Sequence, residues 1–239
     1  MNKQLAYKAN NRDKDWYNDF YKTEQKNFTS WYRFALDELI NEIKREDRLL
    51  EIGCGQAKGL RWLRDRGCIK EENIYAIDQS INAVNFSKTK LPNAHIHCGD
   101  AYHLKFSDNF FNQILLMEVI EHLDYPNPAL QEIYRVLKPG GKLFLSFPNY
   151  LNFPWFVVRV LAEKLNKPNW IVLQPMDKIY TTINIINFCK KNGLRYKKCI
   201  GSNYFPPIIW KYEPKILTKI FNKSHLSYLS FHPILIFKK

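Results

Sequence analysis

An acid and two glycines follow the first apolar run of the chain, in the segment Glu51-Ile-Gly53-Cys-Gly55-Gln-Ala57. Glycine lets the backbone turn sharply, and it removes the side chain where a ligand has to come close. Ala57 is small enough for a following helix to pack closely. Taken alone, the glycine pair fits either a nucleotide-binding loop or an ordinary tight turn.

Further acids follow the next three apolar runs. These are Asp78, Asp100 and the segment Glu118-Val-Ile-Glu121-His122. A carboxylate in the position of Asp78 can accept hydrogen bonds from both hydroxyls of a ribose. The set of acids therefore indicates an adenosine-like ligand. We expect no diphosphate, because the loop is not G-x-G-x-x-G and the lysine and Ser/Thr of a P-loop are missing.

Strand-like runs alternate with helical or irregular stretches from residue 48 onward. The runs read RLLEIG, NIYAID, AHIHCG, FNQILLME and GKLFLSF. Such alternation predicts parallel strands with right-handed crossovers, hence an α/β protein with a Rossmann-like, doubly wound sheet. In such a sheet the carboxyl ends of the strands meet at one edge, where ligands bind. The KPGG segment at 138–141 is predicted to end a helix of about residues 128–137 and to turn into the next strand.

The motifs also resemble a known family. LLEIGCGQAKG, IYAIDQS, CGDAYHL, FNQILLMEVIEHL and LKPGGKLFLSFPN, in this order, are similar to the motifs of class I S-adenosylmethionine-dependent methyltransferases. The branch is methyltransferase type 11, which contains ubiquinone-biosynthesis and sugar O-methyltransferases. The resemblance covers about residues 48–149. It implies S-adenosylmethionine as cofactor and a seven-stranded sheet with an antiparallel last strand, which fits FHPILIFKK at the end.

The resemblance also implies roles for individual residues. Glu51, Gly53 and Gly55 would line the methionine part of the cofactor, with Met117 and Glu118 next to it. Asp78 would bind the ribose, with Gln79 beside the adenine. The adenine amino group would donate to Asp100, and Ala101 would supply a backbone contact. The sequence departs from the family pattern at Ala57, where a third glycine is usual, and at Gln79, where an apolar residue is common.

His122 is the residue that we predict to take a proton from the methyl acceptor, together with Glu121. It is the only histidine that we place at a strand end, and a base held beside the acceptor supplies part of the catalysis. The alternative is that His122 orders the turn before Asp124. A second alternative is a divalent metal held by Glu118, Glu121 and His122, as in small-RNA 2′-O-methyltransferases. We expect no metal, because no further histidine lies between residues 147 and 177.

Four regions are predicted along the 239 residues: an N-terminal helical arm or lid (1–47), the cofactor-binding core (48–149), a cap insertion after strand five (150–176) and a basic C-terminal part that completes the sheet (177–239). For Trp155 to Leu165 in the cap, three alternatives remain open: a lid helix over the substrate, a helix on a membrane surface, or part of the hydrophobic core. No secretory signal or membrane span is apparent, so we expect a cytoplasmic protein, with contact to a membrane surface left open.

The positive charge is concentrated in the second part of the chain. The net charge is +13, and residues 151–239 hold 15 basic and 3 acidic residues, a balance of +12. The asymmetry favours an anionic partner. We therefore expect a methyltransferase that acts on an oxygen or nitrogen of a small molecule, anionic or linked to a lipid or sugar. The alternatives are an RNA-modifying methyltransferase and a non-catalytic adenosylmethionine-binding module. The sequence leaves the oligomeric state open.

Overall fold

Seven strands form one sheet in the order β3-β2-β1-β4-β5-β7-β6 in the computed structural model of the chain. Strands β1 to β5 pair in parallel, and β7 runs antiparallel to both β5 and β6. The predicted fold class and the antiparallel last strand are thus confirmed. The strands are β1 (Leu49–Ile52), β2 (Ile74–Asp78), β3 (His95–Cys98), β4 (Phe111–Met117), β5 (Leu137–Ser146), β6 (Arg195–Ser202) and β7 (His232–Lys238).

The structure describes residues 14–25, 30–152, 156–157, 160–161, 164–165, 178–204, 215–222 and 225–239. Their main helices are α1 (residues 14–20), α2 (Ser30–Leu39), α3 (Lys58–Asp65), α4 (Ile81–Lys90), α5 (Pro126–Val136), α6 (Thr182–Lys191) and α7 (Lys215–Asn222). Short 3-10 helices cover Ile40–Glu42, Glu71–Asn73, Ile120–His122 and His225–Leu229. Most of the cap insertion, including Trp155 and Arg159, lies outside the described residues.

Helices cover both faces of the sheet. The side chains of β4 alternate between two apolar clusters: Ile114 packs with α5 and α6, and Leu115 packs with α2, α3 and α4. A strand that is buried on both faces reads as a continuous apolar run, which is why ILLM stands out in the sequence. The two layers of helices hold the strand ends, and the loops that follow them, in fixed positions.

The connection from α5 to β5 differs from the prediction. The helix covers Pro126–Val136, with proline in its first turn, and β5 begins directly at Leu137. Residues 138–141 form an irregularity within β5, because Leu137 pairs with Phe111 whereas Lys142 pairs with Gln113. Gly141 is required there, since a Cβ would lie 2.9 Å from the carbonyl oxygen of Asn112. KPGG is therefore a bulge in a strand and not a turn between helix and strand.

The C-terminal part contributes helix α6 and strands β6 and β7 to the fold. Helix α6 starts with a capping box, in which the Thr181 and Asn184 side chains each accept from the other's backbone N–H, and it is followed by Gly193 at a φ of +86°. Strand β7 begins at the carboxyl edge and runs away from it, since Ile234 pairs with Ser146, the last residue of β5, and Lys238 pairs with Lys142. The first residue of β7, His232, therefore lies at the ligand-binding edge. Among the described residues, no helix is long and apolar enough to cross a membrane.

Candidate active site

A cleft of about 570 Å³ lies at the carboxyl edge of the sheet, between the strand ends and the N-terminal arm. Ten of the eleven predicted site residues line it: Glu51, Gly53, Gly55, Asp78, Gln79, Asp100, Ala101, Met117, Glu118 and His122. Glu121 is not part of the lining. The arm adds aromatic side chains that we did not predict as site residues: Tyr17, Phe20, Tyr21, Trp31 and Tyr32.

The turn after β1 takes left-handed backbone conformations at three positions. The φ angles are +71° at Gly53, +50° at Gly55 and +51° at Ala57. A Cβ on Gly55 would lie 2.6 Å from the hydroxyl of Tyr21, so this backbone is in close contact with the arm. Ala57 stands where the family usually has glycine. It keeps the left-handed conformation, which costs a residue with a Cβ about 1 kcal/mol, while it caps α3.

Asp78 joins this turn to the end of β2. Its Oδ2 accepts from the backbone N–H of Gly55 at 2.7 Å, and its Oδ1 accepts from that of Ser80 at 2.9 Å. Burial raises the pKa of the carboxyl, and the backbone hydrogen bonds oppose that rise. Each carboxylate oxygen has two acceptor sites. Asp78 can therefore hold the two turns together and still accept from a ligand hydroxyl.

Glu51 is almost completely buried, with 3% of its surface exposed. Its Oε1 accepts from the hydroxyl of Tyr32, whereas its Oε2 has no hydrogen-bond partner in the described part of the chain. Burial raises the pKa of the carboxyl to about 8, although the hydrogen bond from Tyr32 acts in the opposite direction. A buried carboxyl oxygen without a partner is costly unless a ligand supplies one.

Residues after β2 and β3 form the adjacent wall. Asp100 is more open than Glu51 and Asp78, with 39% of its side chain exposed, and its Oδ1 accepts from the backbone N–H of Tyr102 at 2.9 Å. Ala101 beside it is buried, and Gln79, which follows β2, also lines the cleft. A donor on a ligand can thus reach Asp100 without displacing its backbone contact.

Glu118, directly after β4, connects the cleft to β5 and β7. Its backbone is left-handed, with a φ of +54°, which is unfavourable for a residue with a side chain. Its Oε1 accepts from Ser146 Oγ at 2.8 Å, and its Oε2 lies 3.9 Å from His232 Nε2. The carboxylate is thus held by a hydrogen bond from the end of β5 and faces the first residue of β7.

His232 was missed by the sequence analysis, and the statement that His122 is the only histidine at a strand end is wrong. The His232 ring stacks on Trp31 at 4.5 Å, and burial lowers its pKa to about 3. The amide nitrogen of Asn203 lies 2.9 Å from its Nδ1, so Nδ1 accepts and the ring proton is on Nε2, toward Glu118. The predicted antiparallel direction of the last strand was the signal that places residue 232 at this edge.

Glu121 and His122 lie in the 3-10 turn after Glu118. Glu121 is 1% exposed, and its Oε1 is 3.7 Å from His122 Nε2. The His122 ring meets the Tyr17 ring edge-on at 5.9 Å. Within the described ranges, no three His, Cys, Asp or Glu side chains are close enough together to hold a metal ion. The three residues predicted as metal candidates therefore do not form one group of ligands, and the Glu118 carboxylate lies near His232.

The arm is tied to the core by polar contacts. The Asn18 side-chain oxygen accepts from Ser80 Oγ at 2.8 Å and from the backbone N–H of Ile81 at 2.9 Å, and its backbone oxygen accepts from Asn82. Further along, the Gln56 side chain accepts from the backbone of Gln25 and donates to the carbonyl of Thr23. Helix α1 and the segment after it therefore cover the glycine turn.

Comparison with known proteins agrees with this geometry. The Methyltransf_11 family, described as a methyltransferase domain, matches residues 50–145. The "Ubiquinone/menaquinone biosynthesis C-methyltransferase UbiE" of Neisseria gonorrhoeae is 30% identical over 120 residues, which are 48% of this chain and 47% of that protein. The chain thus spans less than half the length of the quinone methyltransferases that it matches.

Two further proteins match most of the chain. An uncharacterised protein of Methanocaldococcus jannaschii is 32% identical over 215 residues, 83% of each chain. A Thermotoga maritima structure described as a SAM-dependent methyltransferase, possible histamine N-methyltransferase, has a TM-score of 0.63 at 20% identity and covers 87% of this chain and 90% of that one.

The site also fits the cofactor of this family. The glycine turn leaves the backbone without side chains, Asp78 has acceptor sites left for ribose hydroxyls, and Glu51 Oε2 lies buried at the cleft without a partner. Matching motifs, fold and cleft lead to one conclusion: the chain carries a class I S-adenosylmethionine-dependent methyltransferase domain, matched over residues 50–145.

Proposed function

We propose that the chain transfers the methyl group to an oxygen or nitrogen of a small molecule, with His122 as the base that takes the acceptor's proton. The observation that carries the proposal is the place of His122, in the lining of the cleft beside Glu118 and Tyr17. S-adenosylmethionine, when bound, supplies a methyl group on a good leaving group. The protein has to align the acceptor and remove its proton.

Glu121 suits a supporting role behind His122. Its carboxyl is buried, and the 3.7 Å approach of its Oε1 to His122 Nε2 would stabilise a positive charge on the ring. Because Nε2 is buried on that side, Nδ1 is the nitrogen that would accept the proton. In this proposal Glu118 is not the base but holds the wall of the cleft with Ser146 and His232.

The lining supports a neutral hydroxyl or amine as the reacting group. A cleft of about 570 Å³ is of ordinary size for small ligands. It contains the carboxyl groups of Glu51, Asp78, Asp100 and Glu118, and Lys58 is the one lysine or arginine among its described lining residues. These acids would repel an anionic reacting group. We therefore propose a lipid- or sugar-linked acceptor whose negative charge, where present, lies outside this lining.

An RNA acceptor is the second candidate, and the basic C-terminal part is the observation that favours it. However, the exposed Lys190, Lys191 and Arg195 lie at the end of α6 and the start of β6. Arg195 pairs with Lys238, whereas Ser202, at the other end of β6, pairs with His232 at the cleft. With a rise of about 3.3 Å per residue, Arg195 is about 23 Å from Ser202 along β6. This separation supports the small molecule.

Methyl transfer from labelled S-adenosylmethionine to cell extract would test the proposal. The extract is divided into a lipid fraction, a polar small-molecule fraction and total RNA, and label is measured in each fraction. We expect label in one of the small-molecule fractions. Label in RNA alone would replace the proposal with the second candidate, and tight cofactor binding with no transfer to any fraction would favour a non-catalytic binding module.

Three variants separate binding from chemistry. Asp78→Asn is expected to bind the cofactor much more weakly, because it removes the negative charge and replaces one acceptor oxygen by an NH2 group that can only donate. His122→Asn is expected to bind the cofactor normally but to transfer methyl groups about 100-fold more slowly, the lower end of the usual effect of a general base. His97→Asn, an exposed position on β3, is the matched control. Unchanged transfer by His122→Asn would show that His122 only orders its turn.

A further inference from the structure

We propose that the Glu51 carboxyl releases a proton when a cationic ligand binds in the cleft, and that this exchange makes the site selective for the positive charge of its cofactor. The inference rests on the assignment of S-adenosylmethionine to this cleft. It concerns the charge state of one buried side chain, and it can fail while the assignment of the cofactor stands.

The first support is the position of Glu51 within the sheet. It lies in the middle of β1, paired with Ala76 of β2 on one side and Leu115 of β4 on the other, and only 3% of its surface is exposed. One carboxyl oxygen accepts from Tyr32, and the other has no partner among the described residues although it belongs to a residue of the cleft lining. This second oxygen carries the proton of the neutral carboxyl and becomes a vacant acceptor when that proton leaves.

The second support is the absence of positive charge around this carboxyl in the described part of the chain. The titratable groups that face it are Tyr32 from α2, Tyr21 from the arm, Cys54 in the glycine turn and Asp78 at the end of β2. All of them are neutral or acidic. Lys58 lines the same cleft but is not among the groups that affect the Glu51 carboxyl.

These surroundings keep the carboxyl protonated before binding. Burial raises the pKa of Glu51 to about 8, and the negative charge of Asp78 adds to the rise. A positive charge close to a carboxyl lowers its pKa. A ligand cation placed against Oε2 would therefore convert the carboxylic acid to a carboxylate, form an ion pair with it and send one proton to the solvent.

Tyr32 acts as a positioning residue in this exchange. Its hydroxyl donates to Oε1 and so holds the carboxyl in one orientation, with Oε2 left for the ligand. Gly59 of α3 leaves room for the Tyr32 hydroxyl, because a Cβ at that position would overlap it. The hydrogen bond from Tyr32 also lowers the pKa of Glu51, so it brings the proton release closer to neutral pH.

Calorimetric titration in two buffers with different ionisation enthalpies tests the proposal directly. The dependence of the observed heat on the buffer gives the number of protons released per bound ligand. At pH 7, a carboxyl with a pKa of about 8 is about nine-tenths protonated. We therefore expect S-adenosylmethionine to release about 0.9 proton from the wild-type protein. Glu51→Gln should bind more weakly, because it lacks the ion pair, and at saturating ligand it should release close to none.

Two other adenosine ligands separate charge from shape. S-adenosylhomocysteine keeps the ammonium group and lacks the sulfonium charge, and 5′-methylthioadenosine has neither. We expect no proton release with 5′-methylthioadenosine. Release with S-adenosylhomocysteine would assign the ammonium as the partner of Glu51, and release with S-adenosylmethionine alone would assign the sulfonium.

Several outcomes would overturn the inference. Binding of S-adenosylmethionine without proton release would do so, and so would undiminished release by Glu51→Gln, or equal release with 5′-methylthioadenosine. Failure of the wild-type protein to bind any adenosine ligand would instead overturn the assignment of the cofactor. Tyr32→Phe gives an independent readout: at pH 8 it should release more proton than the wild type, because it lacks the hydrogen bond that lowers the pKa of Glu51.

Discussion

At Gly55 the backbone of the first turn passes beneath the Tyr21 hydroxyl, with no room for a side chain. Gly67 is a matched position, because its φ of +68° is also left-handed but nothing lies within 4 Å of its Cβ position. Replacement of Gly67 by alanine should reduce the free energy of unfolding by about 1 kcal/mol, the cost of the left-handed backbone. Gly55→Ala should lose more than that, because its Cβ would also overlap the Tyr21 hydroxyl. Only Gly55→Ala should also bind S-adenosylmethionine at least 10-fold more weakly.

Urea denaturation and cofactor titration of the two variants would check this prediction. If Gly67→Ala lost cofactor affinity to the same extent, the loss would come from general destabilisation and not from contact at the glycine turn. If neither variant lost affinity, the cofactor would not approach Gly55, and the proposed place of its methionine part would be wrong.

At the residue scale, the sequence revealed the groups that follow strands directly and missed those that reach the cleft from elsewhere. Glu51, Asp78 and Asp100 could be predicted because the carboxyl ends of parallel strands meet at one edge. Tyr32 and Trp31 could not, because their contacts with Glu51 and His232 depend on how α2 packs against the sheet. Such a packing angle leaves no local sequence pattern.

At the element scale, helix α1 is held over the cleft mainly through Asn18. Its three hydrogen bonds to residues 80–82 connect the arm to the start of α4, next to Asp78. Each is worth about 1 kcal/mol net. Asn18→Ala removes the two bonds to the side-chain oxygen and keeps the one to the backbone oxygen. It should therefore increase amide hydrogen exchange of residues 14–25 by at least 10-fold and weaken cofactor binding, because an open arm no longer covers the glycine turn.

Asp19→Ala is the control for this prediction. Asp19 is exposed on the same helix and forms a surface ion pair with Lys22 at 2.7 Å. Surface pairs of this kind contribute 0–1 kcal/mol, so the exchange rates and the affinity should stay near those of the wild type. Rapid exchange of the arm in Asn18→Ala without a change in affinity would show that the arm does not act as a lid.

At the scale of the whole molecule, the alternation of strands and helices made the sheet predictable through β5. The order of the elements that follow β5 was harder to predict. The segment 203–230 had no clear periodicity, and its described parts are helix α7 and a short 3-10 helix at residues 225–229. Asn152 and Asn149 donate to backbone oxygens in 204–230 and so hold this region to the sheet. Side-chain contacts with irregular backbone are not visible as a sequence pattern.

Two buried groups should give the stability of the whole molecule opposite dependences on pH. His232 has an ordinary pKa of 6.5 when unfolded and about 3 when folded, so the unfolded state binds more protons and stability falls as the pH drops below 6.5. The pKa of Glu51 is 4.5 when the chain is unfolded and about 8 when it is folded. The folded state therefore binds more protons, and stability falls as the pH rises from 4.5 to 8.

The two effects nearly cancel between pH 4.5 and 6.5, and outside that interval each acts alone. Between pH 6.5 and 8, Glu51 should reduce the free energy of unfolding by about 1.4 kcal/mol per pH unit. Urea denaturation of wild type and Glu51→Gln at pH 6.5 and 8 would measure this effect. The difference in stability between the two proteins should change by about 2 kcal/mol in favour of the variant at the higher pH.

A constant difference would mean that Glu51 is already ionised in the folded protein at pH 6.5. In that case no proton would be left for a ligand to displace.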